Sequence, residues 1–217
     1  MEQSKYTKTI KRILGEFFLI VIGVTIALWL ENELENLKER EVEQSYIESF
    51  ESDWSADATE LEKTIAFNKK LKEKTESLFA DLFKGSIDDK ALASRIFVVM
   101  SYQYFTPQDF TFQSMRETGD FRLIKDKRLR KNLLKLKSYH NLILESQANY
   151  QQALDNYIVP LVNENVDIAR QQIVYENFKS NHRLSNLVAY TISDLDSRIK
   201  LYEATLNFLN KLRAKNT

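Results

Sequence analysis

ILGEFFLIVIGVTIALWL, the stretch from Ile13 to Leu30, carries a single charge, Glu16, and is the only part of the chain apolar enough to cross a bilayer. As a helix it reaches about 27 Å, close to the thickness of a hydrocarbon core. From Phe17 to Ala27 every face is apolar except at Thr25, whose hydroxyl is able to bond back to its own helix. A cleaved signal peptide shares the basic start and the apolar core but ends in a small-x-small site. Here Ala27-Leu28-Trp29-Leu30 passes straight into Glu31-Asn32-Glu33-Leu34-Glu35, so an uncleaved anchor is expected. A buried helix of a soluble protein is the alternative, because Glu16 shortens the uninterrupted apolar run to Phe17–Leu30.

Lys5, Lys8, Lys11 and Arg12 precede the span, whereas only Lys38 and Arg40 occur in the fifteen residues after it. The positive-inside bias places the N-terminus in the cytoplasm and the rest of the chain on the far side, with Trp29 at the outer interface. Glu16 has two readings. It is either an intramembrane proton-relay carboxylate, as in a stator-like subunit, or a side chain that snorkels to the near interface and pairs with Arg12 one turn away. Its place near the end of the span favours the second. Gly23 and Ala27 form a small-xxx-small pair that lets another membrane helix approach closely, so Glu16, Gly23 and Ala27 are the candidate membrane-helix contacts.

Equal numbers of basic and acidic residues, 31 each, argue against a dedicated nucleic-acid binder. Four glycines and two prolines in 217 residues leave few turns, which implies few and long elements. The expected fold is therefore all-α: one N-terminal transmembrane helix followed by an extended antiparallel helical bundle of about five helices. The absence of cysteine removes disulfides and thiolate chemistry.

No proline or glycine occurs from Glu31 to Lys84, and Ile47, Phe50, Trp54, Ala58, Leu61 and Ile65 recur at helical spacing, predicting one long helix continuous with the span. Its first part, residues 31–45, is a candidate stalk: six glutamates lie between Glu31 and Glu43, and Leu30, Leu34 and Leu37 share one face. That face suits either a solvated stalk or a short parallel coiled coil. Gly85 should cap the helix. Ser86 is expected to open a second helix over Asp88–Gln103, and Thr106-Pro107 to break the pattern. A short helix over Gln108–Thr118 should stop at Gly119. A long one should begin near Asp126, run to about Ile158 with a kink or end at Pro160, and resume to about Tyr175. A loop over Glu176–Arg183 and a last helix over Leu184–Ala214 complete the reading. The organisation is thus a basic cytoplasmic tail (1–12), an anchor (13–30) and a helical domain (31–217).

Chemistry-bearing patterns are sparse. His140 and His182 lack the partners of a metal pair and are expected at the surface; no catalytic, metal or cofactor constellation is expected. Lys125, Lys127, Arg128, Arg130, Lys131, Lys135 and Lys137 form a basic surface beside a leucine face, suited to anionic headgroups or an acidic partner, or simply balanced by the acids of the Glu31–Glu62 helix packed alongside. Tyr102-Gln103-Tyr104-Phe105-Thr106-Pro107 is unusually aromatic. With Phe110, Phe112 and Phe121 it would either line a ligand pocket, for which Phe112, Arg116, Phe121 and Arg122 are the candidates with Arg116 or Arg122 holding an anion, or form the core around a short helix.

Two stretches resemble a bacterial family of single-pass membrane proteins defined only as a domain of unknown function. The first is Gly15-Glu16-Phe17-Phe18-Leu19-Ile20-Val21-Ile22-Gly23-Val24-Thr25-Ile26-Ala27-Leu28 with its Asn/Glu-rich exit. The second is Thr111-Phe112-Gln113-Ser114-Met115-Arg116-Glu117-Thr118-Gly119-Asp120-Phe121-Arg122-Leu123-Ile124-Lys125-Asp126-Lys127-Arg128-Leu129-Arg130. Trp29 and Leu30 stand where that family often has a polar Gln or Asn. The resemblance implies a bacterial inner-membrane protein with one span and a helical extracytoplasmic domain, and transfers no catalytic residue.

These observations lead to the expectation of a non-enzymatic, membrane-anchored helical interaction or scaffold protein. Its partners would be the bilayer and either further copies of itself or another membrane protein, not nucleic acid. A ligand-sensing domain using the aromatic pocket and a stator-like subunit using Glu16 are the alternatives.

Overall fold

The computed structural model describes the backbone from Gln3 to Asn216 and the side chains of residues 14–214. One helix, α1 (Gln3–Lys84), runs without interruption from the apolar segment into the domain. None of its side chains from Leu14 to Leu30 is buried, and that part is long and apolar enough to cross a membrane. Further along, Phe50, Trp54, Asp57, Leu61, Thr64, Asn68, Leu71, Thr75 and Leu78 are all buried. Their alternating four- and three-residue spacing keeps one side of α1 against the bundle over about eight turns.

Gly85 ends α1 as expected. At φ +64° its N–H reaches the Leu82 carbonyl at 3.1 Å, and the Ser86 N–H reaches the Asp81 carbonyl, also at 3.1 Å. This is the paired closure that a left-handed residue after a helix permits. Ser86 does not start the next helix: its hydroxyl turns back to the Asp81 carbonyl, and Asp88 caps α2 (Asp89–Arg95) by accepting from the Ala91 N–H at 2.7 Å. The helix is also shorter than expected, since Ile96–Met100 tightens into a 3-10 turn and residues 101–109 form no regular element.

Helix α3 (Phe110–Thr118) stops at Gly119, φ +78°. Helix α4 (Lys127–Ala153) is capped by the Asp126 carboxylate, which accepts from the Arg128 N–H at 2.7 Å. Pro160 has no N–H, and its ring crowds the carbonyl four residues back. The chain absorbs this in a π-turn, Leu154–Ile158, closed by the Val159 N–H on the Leu154 carbonyl, before α5 (Val159–Asn165).

The expected helix to Tyr175 is replaced by a small hairpin, β1 (Val166–Asp167) against β2 (Gln172–Ile173). Asp167 holds its turn by accepting from the Arg170 N–H at 3.0 Å, and Gln171 takes φ +51°. The final helix, α6 (His182–Asn216), is capped by Asn181, whose side-chain oxygen accepts from the Arg183 N–H.

The frame is a three-helix column. Lys72–Asp196 and Lys69–Glu203 ion pairs, both at 2.7 Å, run in opposite chain order along α1 and α6, so these two helices are antiparallel. Tyr139 meets Phe208, and Gln147 meets Tyr202, which sets α4 antiparallel to α6 as well. One core cluster, centred on Trp54, Leu61, Phe105, Met115 and Tyr202, fills the end nearer the apolar segment; a second, around Leu78, Ile96, Tyr150, Ile158 and Val188, fills the far end.

Because nothing crowds a Cβ at Gly85, an alanine there costs only its left-handed backbone. Gly85→Ala should lower stability by about 1–2 kcal/mol in chemical denaturation of the full chain in detergent, with unchanged helicity.

Candidate functional site

The backbone of the aromatic segment explains its surroundings. Residues 101–109 belong to no helix or strand, so their backbone polar groups require partners from side chains. Gln147 on α4 supplies a pair: its carbonyl oxygen accepts from the Phe105 N–H at 2.8 Å and its amide donates to the Phe105 carbonyl at 3.1 Å. Tyr202 on α6 donates to the same Gln147 oxygen at 2.7 Å. On α1, Asn68 donates to the Gln103 carbonyl at 3.1 Å, and an Asp57 oxygen accepts from the Gln108 N–H at 2.8 Å. Phe105 is completely buried at the centre of these contacts.

The four residues named as pocket candidates divide between core and surface. Phe112 and Phe121 meet edge to face, ring centroids 6.0 Å apart, with Phe112 buried beside Met115. Arg116 and Arg122 are exposed. The aromatic rings therefore pack a short helix between two long ones, and the geometry converges on no anion there.

Burial singles out a different group. His140, expected at the surface, is 3% exposed and faces Asp57, 1% exposed, with Nε2 3.3 Å from Oδ2 but not aligned for a hydrogen bond. Burial pushes the Asp57 carboxyl up to about 7, opposed by the Gln108 N–H and reinforced by Asp53 and Asp109. The same desolvation brings His140 down to about 4; Asp109 works against this and Lys137 with it. Lys137 in turn is paired with Asp109. The sequence did hold a signal for Asp57, which sits at a core position between Trp54 and Leu61. Nothing local announced its partner 83 residues away.

A second buried charge was equally invisible. Arg198 on α6 is fully buried, bonded through Nε to Asp194 at 2.6 Å, with its guanidinium carbon 4.3 Å from the Tyr150 ring centroid and 5.9 Å from that of Tyr104. The rings take the place of water on the flat faces of the cation. Desolvation raises both Tyr104 and Tyr150 to about 12, so neither phenol is poised to ionise near neutrality.

Surfaces remain. Of the basic residues at the start of α4, Lys125 reaches the acids of α1: its ammonium meets Glu39 at 2.8 Å and its N–H meets Glu43 at 2.6 Å. Lys135 instead lies over the Phe208 ring, 5.0 Å from its centroid, and Lys127, Arg128 and Lys131 are exposed. The balancing of that face by α1 is thus confined to its first residue. At the opposite end of the domain, a groove of about 530 Å³ opens between the π-turn and the start of α6, lined by Tyr157, Pro160, Glu164, His182, Arg183 and Tyr190. On α1, Glu16, Gly23 and Ala27 are exposed and, at seven- and four-residue spacing, share one face. Arg12, the expected partner of Glu16, lies outside the described side chains.

Among the described residues, no three His, Asp or Glu side chains are grouped to hold a metal ion. No family model, curated protein or solved structure matches the chain. The likeness of residues 15–28 and 111–130 to a membrane-protein family is therefore not joined by a match to a family model.

The buried pair generates a pH prediction. Asp57, with a raised native pKa, binds more protons folded than unfolded between about 4 and 7, so its contribution to stability falls as pH rises through that window. His140, with a lowered one, binds fewer protons folded between about 4 and 6.5, so its contribution rises with pH. The two slopes oppose each other, so the pair's net contribution to stability should be nearly flat between pH 5 and 8. Asp57→Asn keeps an oxygen for the Gln108 N–H and removes the falling slope. Its stability should rise by roughly 1–2 kcal/mol over the same range, read by denaturant melts at the two pH values.

Proposed function

We propose that the protein is a membrane-anchored helical interaction module that acts by contact and not by catalysis. The observation that carries this reading is the continuity of α1: the helix bearing the apolar segment is also the central column of the domain core. A flexible linker would let the domain tumble. A continuous helix instead fixes the domain's distance and direction from the bilayer, which is useful for presenting surfaces and irrelevant to most chemistry.

The charge distribution supports a cytoplasmic N-terminus and an extracytoplasmic domain in a bacterial inner membrane. In that orientation the groove around Tyr157 and Tyr190 lies at the end farthest from the membrane, where both aromatic side chains are exposed. Exposed aromatic rings rimmed by Arg183 and Glu164 have the composition of a protein-contact surface.

Three measurements test this. The full chain should remain in the membrane fraction through alkaline carbonate extraction. A reporter fused after Thr217 that is active only outside the cytoplasm should be active; activity of a cytoplasm-only reporter would overturn the orientation. A photo-crosslinking residue at position 157 or 190 should give discrete protein adducts in intact cells, and the absence of adducts at both positions would overturn the interaction reading.

A further inference from the structure

The membrane-proximal part of α1 has a second seam. Ile20, Gly23, Ala27, Leu30, Leu34 and Leu37 follow one another at spacings of three, four, three, four and three residues, the period of a coiled coil. Continued into the domain, the same pattern would fall on residues 41, 44, 48, 51 and 55. The residues that α1 buries are instead Phe50, Trp54, Asp57 and Leu61, one position earlier in the repeat. One residue is about 100° around a helix, so the two seams lie on different sides of α1. The domain uses its own seam completely. Among the described residues nothing covers the other: Leu34 is 59% and Leu37 47% exposed.

Lipid does not account for those leucines. Leu37 lies about 10 Å beyond Leu30 along the helix axis, past the headgroup layer. The charges beside the seam show what does. Glu33 occupies the position before the first leucine of a repeat and Lys38 the position after the second. In a parallel, in-register pair these two positions face each other across the interface, so Glu33 of each copy meets Lys38 of the other, twice by symmetry. A single-span anchor imposes that arrangement, because two copies inserted in the same direction and to the same depth are parallel and in register. Below the leucines, Gly23 and Ala27 continue the seam with side chains small enough for close approach within the bilayer.

We infer that α1 pairs with a second copy of this chain along Ile20–Leu37, on the face turned about 100° from the domain core. This rests on the anchored reading above and adds its partner.

The chain has no cysteine, which allows a clean test in native membranes. Leu34→Cys and Leu37→Cys, each introduced alone, should form disulfide-linked dimers on mild oxidation. Asn32→Cys and Asn36→Cys, on the far side of the helix, should give at least fivefold less. Glu33→Lys should reduce crosslinking at position 37 severalfold, and Glu33→Lys combined with Lys38→Glu should restore it. Since the seam lies outside the core, the thermal midpoint of each variant should match the parent, which excludes misfolding as the cause. Equal crosslinking at all four positions, none at the two leucine positions, or adducts only to a different protein would overturn the pairing. Loss of the chain from the membrane fraction would instead count against the anchor itself, so the two failures are distinguishable.

Discussion

The structure depends on satisfying the backbone of residues 101–109. An irregular segment packed onto a helical bundle through the buried Phe105 carries amide and carbonyl groups that no helix ladder serves, and each left unpaired and buried would cost on the order of 1–3 kcal/mol. Gln147, Asn68 and Asp57 answer from α4 and α1, and Tyr202 on α6 locks the Gln147 amide in the required orientation. This requirement places polar residues at core positions of all three long helices. It also fixes their relative height, because each helix must present one particular side chain to one particular peptide group.

The unusual electrostatics follow from the same constraint. Asp57 is buried because the Gln108 N–H needs an acceptor, and once buried beside Asp53 and Asp109 it is pushed towards its neutral form. His140 opposite is pushed the same way, so the pair sits in the interior without a full ion pair. Arg198 meets the problem differently, with one carboxylate at Nε and aromatic rings against its faces. Asp57, His140 and Arg198 are buried, whereas Asp194 borders an open surface depression that it shares with Tyr190 and Leu201.

Where a signal was local, the sequence was legible. Gly85 and Gly119 stop helices through their own φ angles, and Asp126 caps α4 with its own side chain, so all three boundaries were readable from a few adjacent residues. Ser86 and Asp88 compete for one cap, and the outcome is set by the closure of α1, which turns the Ser86 hydroxyl back to Asp81. The hairpin after Asn165 was missed because Val166, Ile168, Ile173 and Val174 satisfy a helical pattern as readily as a strand one over so short a span. Its short ladder is extended by one further rung, the Asn165 carbonyl accepting from the Val174 N–H at 2.9 Å. The aromatic segment left two readings open, and the choice of core over pocket rests on Gln147 and Asn68, residues 42 and 35 positions away from their partners. The positions of Glu16, Gly23 and Ala27 on one face were legible from spacing alone.

The displacement between the two seams of α1 has a geometric meaning for any assembly. If both seams shared a face, a second copy pairing along Leu30–Leu37 would collide with α4 and α6 as soon as the helices entered the domains. Turning the core face away by about 100° carries each domain to the side of its own helix and leaves room for the pair. The turn is made where Glu39 and Glu43 receive Lys125 and where the Tyr46 hydroxyl donates to Asp120 at 2.9 Å. Those contacts clamp the connector between α3 and α4 onto α1 at the level where the domain begins. The acidic stretch after the apolar segment is therefore more than a solvated stalk: its later glutamates hold the domain's near edge against α1 through Lys125, while Leu34 and Leu37 remain exposed on another side.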